Sequence, residues 1–109
     1  QVQAMQLGTA LVRVDAVVLD YAVRIARATR EWPGIAMGAG PRGGLALVRA
    51  ARAQAVLDGR DFTTPDDVRT IAPAALRHRV ALSPEMQIEG RRTDDVLAAL
   101  LLKVEAPRQ

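Results

Sequence analysis

One arginine stands in the first turn of a predicted helix, directly after a glycine-rich loop. Residues 33–40, with the sequence PGIAMGAG, predict a loop, and Pro41 is typical of the first position of a helix. Arg42 would then lie beside backbone N–H groups that have no acceptor within the helix, at the positive end of the helix dipole. A guanidinium in that place can donate two hydrogen bonds to one phosphate. A solvated first-turn arginine is the competing interpretation, although a cation there is mildly unfavourable.

The same stretch, Gly38-Ala39-Gly40-Pro41-Arg42-Gly43, matches the dinucleotide-binding pattern G-x-G-x-x-G. That pattern requires a buried strand before it and a second strand after its helix. Here a Pro-Gly turn and Ile35-Ala36-Met37 precede it, and Thr64-Pro65-Asp66-Asp67 predicts a helix start where the second strand should be. The context therefore argues against a dinucleotide-binding fold. Gly40, Pro41, Arg42 and Gly43 remain the candidate phosphate-binding residues.

Arginine supplies nearly all of the positive charge. Of the 15 basic residues, 14 are arginine and one is Lys103. Arg49 and Arg52 lie near the face of Arg42, where they would extend an anion-binding face or simply surround a buried helix with their aliphatic stems. The stretch 77–79, Arg-His-Arg, lies at a predicted helix end, where cations complement the dipole.

The composition excludes several kinds of site. A chain of 109 residues predicts one domain, and with no cysteine and one histidine it cannot form disulfides, thiolate metal sites, cysteine nucleophiles or a histidine-rich metal site. Val104 follows Lys103, so the chain has no P-loop. The longest apolar runs, such as 96–102, are too short to span a membrane, and no signal peptide is evident, which favours the cytoplasm. The start at Gln1 indicates a fragment or a processed chain.

Apolar periodicity and capping signals predict an all-α fold, a compact bundle of four to six short helices. The second helix is apolar on nearly all sides, which predicts a central, buried position. Pro73 is expected to end the third helix, because the residue before a proline avoids the helical region. Residues 80–82 are expected to be extended. The predicted helices span about 15–31, 41–58, 64–72, 73–79, 83–90 and from 93 to a stop at Pro107.

Several segments occur in unbroken order, beginning with Asp20-Tyr21, the RATR stretch at 27–30 and the stretch 38–43. These segments resemble the C-terminal helical lid of the MoxR branch of AAA+ ATPases, to which the magnesium-chelatase ATPase subunits are related. On this basis residues 1–12 lead into a lid domain over residues 13–106. The likeness continues through LALVRAARA at 45–53, GRDFTTPDDV at 59–68, LRHR at 76–79 and GRRTDDVL at 90–97.

The resemblance implies a role for Arg42 as the sensor 2 arginine, a catalytic residue that reaches ATP held by an upstream α/β core. Gly40 stands where the family usually has serine. ATP, with Mg²⁺, would be bound mainly by that absent core, so the chain alone would not be an enzyme. The full-length parent is expected to be a ring-forming ATPase, commonly a hexamer, with a chaperone-like role and a possible von Willebrand factor A-domain partner.

Two other classes of function stay open on the residues alone. Arginine content would suit a helical nucleic-acid-binding module, but the net charge is only +3, 12 acidic residues are interspersed, and aromatic residues make up 3% of the chain. A purely protein-interacting helical domain, in which Arg42 makes a structural contact, is the second alternative.

Overall fold

The computed structural model describes residues 13–105 and 107, and the side chain of Pro41 is not among the parts described. The predicted leading segment 1–12 and the predicted end of the domain at residue 106 therefore lie outside the described residues. Within that part of the chain, five helices and a two-stranded sheet make up the fold. The helices are α1 (Ala16–Glu31), α2 (Pro41–Leu57), α3 (Pro65–Leu76), α4 (Pro84–Ile88) and α5 (Thr93–Lys103), and the strands are β1 (Ile35–Met37) and β2 (Ala81–Leu82).

The mostly α-helical fold predicted from the sequence is confirmed, and so are most helix starts. Thr64 caps α3 in a reciprocal arrangement: its side chain accepts from the Asp67 backbone N–H, and the Asp67 carboxylate accepts from the Thr64 backbone N–H. Ser83 caps α4 through a single hydrogen bond, which its hydroxyl accepts from the Met86 backbone N–H. The helix α5 begins at Thr93, as predicted, with Arg92 as its cap, but it ends at Lys103, before the predicted stop at Pro107.

Two predictions of local structure are wrong. Pro73 lies inside α3, which continues to Leu76, so the separate helix expected over 73–79 does not form. The missing N–H of Pro73 has a cost, but the buried side chains of Ala72 and Leu76 on either side offset it by packing into the core. The predicted loop 33–40 contains β1, which pairs antiparallel with β2. Local sequence could not show this pairing, because the partner strand is more than forty residues away.

The core is formed where α1, α2, α3 and α5 meet. It includes Tyr21 and Ile25 of α1 and Leu47 of α2, all fully buried. The central position predicted for α2 is correct in that it packs against both α1 and α3. The predicted burial of α2 is incomplete, since Arg42, Leu45 and Arg49 form an exposed stripe at helical spacing. No helix in the described part of the chain is long and apolar enough to cross a membrane.

Candidate functional site

The loop before α2 is fixed by a buried hydroxyl on α1. Thr29 is fully buried; its Oγ1 donates to the Ala26 carbonyl at 2.6 Å and accepts from the Ala39 backbone N–H at 2.9 Å. A buried side chain of α1 therefore holds the residue that stands three positions before Arg42. In the RATR stretch at 27–30, sequence reasoning considered the arginines. It missed that Thr29 positions the loop before α2.

Two glycines shape the start of α2. Gly40 is the N-cap of α2, with φ +75° and ψ −178°. Residues other than glycine adopt this backbone conformation only under strain. This conformation gives a physical reason for glycine at position 40 of this chain. Gly43 is buried, and a Cβ there would lie 2.5 Å from the Ala39 Cβ. Its missing side chain lets the first turn of α2 pack directly onto the loop.

Arg42 lies in the first turn of α2, and its side chain is exposed. Among the described residues, no carboxylate forms an ion pair with it. The structure therefore places Gly40, Pro41, Arg42 and Gly43 together at one helix start, where no described carboxylate pairs with the Arg42 guanidinium. An exposed cation at the positive end of a helix, without a described carboxylate partner, is suited to an anionic ligand.

Arg42 also borders a larger surface feature, which we call the arginine groove. The groove has a volume of about 770 Å³ and its lining comes from two parts of the chain, α2 and the turn after α3. Arg79 is fixed in that turn, where its backbone N–H donates to the carbonyl of the buried Leu76 at 2.8 Å. The lining consists of Arg42, Leu45, Ala46, Arg49, Ala50 and Arg79.

The arginines that sequence reasoning grouped together have different surroundings. Arg49 shares the groove with Arg42, whereas Arg52 is half-buried and does not line it. Arg77, expected only to complement the end of a helix, instead donates two hydrogen bonds, both 2.8 Å long, to the Asp94 carboxylate at the start of α5. These hydrogen bonds lower the pKa of Asp94. Arg79 is the groove residue that sequence analysis did not assign to the site.

Outside the groove, Arg60 forms a network of ion pairs with two aspartates. Arg60 donates to both carboxylate oxygens of Asp67, at 2.9 and 2.6 Å, and also pairs with Asp58. Burial alone would raise the pKa of Asp67, but hydrogen bonds from Arg60 and from the Thr64 backbone outweigh burial, so the pKa is lowered. This network links the end of α2, at Asp58, to the first turn of α3, at Asp67.

The residues described here offer no set of ligands for a metal ion: no group of three or more histidine, cysteine, aspartate or glutamate side chains lies together in that part of the chain. The strand β1 does precede the G-x-G-x-x-G stretch, but it pairs antiparallel with β2 in a two-stranded sheet. A dinucleotide-binding unit needs parallel strands joined through the helix. The fold thus agrees with the exclusion made from the sequence.

Comparison with known proteins identifies the class. The family model described as the AAA lid domain matches residues 27–100, most of the chain. The chain belongs to this family of lid domains. A solved structure from Cytophaga hutchinsonii, provisionally described as an ATPase, superposes with a TM-score of 0.85 at 28% identity, covering 93% of this chain and 33% of that one.

Individual relatives agree with that membership. The chaperone MoxR1 of Mycobacterium tuberculosis is 33% identical over 84% of this chain and 26% of its own length. The uncharacterized protein YeaC of Bacillus subtilis is 39% identical over 90% of this chain and 31% of its own length. The chain thus spans about a quarter to a third of the length of these proteins.

Proposed function

We propose that residues 13–106 act as the lid of a MoxR-like AAA+ ATPase, with Arg42 as the sensor 2 arginine. The observation that supports this most directly is the arrangement at the start of α2. Thr29 fixes the loop through a 2.9 Å hydrogen bond to Ala39, and the exposed Arg42 has no ion-pair partner in the described chain. A cation held in place but not neutralised can respond to a charge brought from outside.

The proposed ligand of this site is the phosphate chain of ATP bound to a core domain. At the helix start formed by Gly40, Pro41, Arg42 and Gly43, the backbone N–H and the guanidinium of Arg42 would form the donor set for phosphate oxygens. Pro41 has no N–H, and the Gly43 N–H donates to the Gly40 carbonyl at 3.0 Å. Mg²⁺ finds no ligand cluster among the described residues, so it would be held by the core. The lid's contribution is then electrostatic: Arg42 stabilises the charge on the transferred phosphoryl group.

The proposed role of the lid follows from the position of Arg42 on a helix that packs against the rest of the domain. Because Arg42 lies on a rigid helix packed against α1 and α3, contact with ATP phosphates would fix the position of the whole domain relative to the core. ATP hydrolysis would release that contact and let the lid move. We propose that the parent, in the cytoplasm, forms a ring, commonly a hexamer. In it the lid meets the upstream core and neighbouring subunits, and its movement drives chaperone-like maturation of partner proteins, including one with a von Willebrand factor A domain.

A nucleotide-binding experiment separates the contribution of the lid from that of the core. The 109-residue chain should bind ATP only weakly, since one guanidinium and one helix start provide few contacts. In the full-length parent, Arg42→Ala should weaken ATP binding or slow its turnover, while the isolated lid variant keeps its helical content. Micromolar ATP binding by the isolated chain, or unchanged affinity and turnover in the parent variant, would overturn the assignment.

A further inference from the structure

The arginine groove extends well beyond the start of α2. Arg42 and Arg49 are seven residues apart on one helix, a rise of about 10.5 Å. Arg79 reaches the same groove from the turn after α3. The groove lining, as far as the structure describes it, includes no acidic residue, and none of the three arginines pairs with a described carboxylate. The positive charges of these three arginines are therefore not balanced by an ion pair with any described residue.

The floor between the arginines is apolar. Leu45 keeps 50% of its surface exposed, and Ala46 and Ala50 continue the floor along α2. A phosphate chain has no apolar group that would bury this leucine, and it gains nothing from the alanines. A peptide segment with an apolar side chain gains both the burial and the ion pairs. Beyond the helix start proposed to meet ATP, the combination of Arg49 and Arg79 with these apolar residues therefore favours a protein ligand over a second polyphosphate.

We propose that the arginine groove is a docking site for an acidic protein segment in which carboxylates flank an apolar side chain. The apolar side chain lies over Leu45 and the two alanines, while the carboxylates pair with Arg49 and Arg79. Charge complementarity selects the segment, and the apolar contact holds it in register. The site extends the function proposed for Arg42 but does not depend on it, because Arg49 and Arg79 need no nucleotide.

The test titrates the isotope-labelled 109-residue chain with a capped peptide of sequence Asp-Glu-Leu-Leu-Glu-Asp, followed by nuclear magnetic resonance. We expect shifts in the Nε–H signals of Arg49 and Arg79 and in the backbone signals of α2. Arg49→Gln and Arg79→Gln should each raise the dissociation constant about threefold, as for exposed ion pairs, and binding should weaken with added salt. Arg69→Gln is the matched control, since Arg69 is exposed on α3 and outside the groove, and it should bind as the wild type does.

Three results would overturn the proposal. The first is a peptide affinity unchanged by both groove substitutions, with the spectra showing the variants folded. The second is equal binding of a peptide in which serine replaces both leucines, because the apolar floor would then play no part. The third is tighter binding of inorganic tripolyphosphate or of a single-stranded oligonucleotide than of the peptide at these same arginines, which would assign the groove to phosphates.

Discussion

Thr29 Oγ1 accepts a hydrogen bond of 2.9 Å from the backbone N–H of Ala39, and this contact joins the last turns of α1 to the loop that leads into α2. The hydroxyl proton is directed to the Ala26 carbonyl at 2.6 Å, so both hydrogen-bonding capacities of the side chain are used. Because Thr29 is fully buried, water cannot replace it. The path of the loop into α2, and with it the backbone position of Arg42, thus depends on a buried residue of α1.

Thr29→Val should loosen this loop. Valine keeps the shape of the side chain but leaves the Ala39 N–H without its acceptor, which should lower the free energy of unfolding by about 1–3 kcal/mol. Urea denaturation measures the loss, and hydrogen exchange at the Ala39 amide should become faster. Thr29→Ser retains the hydroxyl and should preserve slow exchange. An Ala39 amide equally protected in the valine variant would show that the hydrogen bond does not hold the loop.

Gly43 and its neighbour Gly44 offer a matched pair of substitutions. Both are buried in α2, but a Cβ at Gly43 would lie 2.5 Å from the Ala39 Cβ, whereas at Gly44 the nearest atoms would be 3.9 Å away. Gly43→Ala should destabilise the fold by about 1–3 kcal/mol through this clash. Gly44→Ala should be neutral or stabilise by up to about 1 kcal/mol, because alanine favours a helix. Thermal denaturation of both variants tests the difference, and a similar effect of the two would refute the close approach.

Asp67 should make stability dependent on acid. Its pKa is lower in the folded state than in the unfolded chain, where an aspartate titrates near 3.9, so its contribution is fully present above about pH 5. The contribution is lost as the pH falls through the lower, folded-state pKa. Asp67→Asn should cost about 2 kcal/mol at neutral pH, since it removes the ion pair with Arg60 and weakens the cap of α3.

The neighbouring carboxylate provides the control for that experiment. Asp66 is exposed in the same first turn of α3, and no described residue forms an ion pair with it. Urea denaturation from pH 7 to pH 3 should show a steep loss of stability in the wild type and in Asp66→Asn. The curve for Asp67→Asn should be flatter. Parallel curves for all three proteins would mean that Asp67 does not contribute to acid sensitivity.

Local chemistry made the helix starts predictable. The Thr64-Pro65 and Ser83-Pro84 signals act within one turn, so they need no knowledge of the tertiary fold. Pro73 could not be predicted in the same way, because its position inside α3 depends on burial of the flanking side chains against other elements. The pairing of β1 with β2 likewise depends on the chain returning to the end of α1.

The residues of the candidate site also differ in whether local sequence alone could identify them. Arg42 was recognisable because glycine, proline and arginine are adjacent in sequence and share one helix start. Arg79 was not, because only the packing of α3 against α2 brings its turn to the groove beside Arg49. Thr29 escaped notice for a related reason: its partner Ala39 is ten residues away, across the turn and β1. Residues that act through tertiary contacts need the fold before they can be assigned.

ATP hydrolysis by the full-length parent tests the role of Arg42 most directly. At saturating ATP, Arg42→Ala should reduce the turnover rate at least tenfold, and Arg42→Lys should recover only part of it, because lysine cannot make the forked contact with phosphate. Arg69→Ala, which removes an exposed arginine of α3, should leave the rate unchanged. Turnover in Arg42→Ala equal to that of the wild type and of Arg69→Ala, in an assembled and folded protein, would contradict a phosphate-contacting lid arginine.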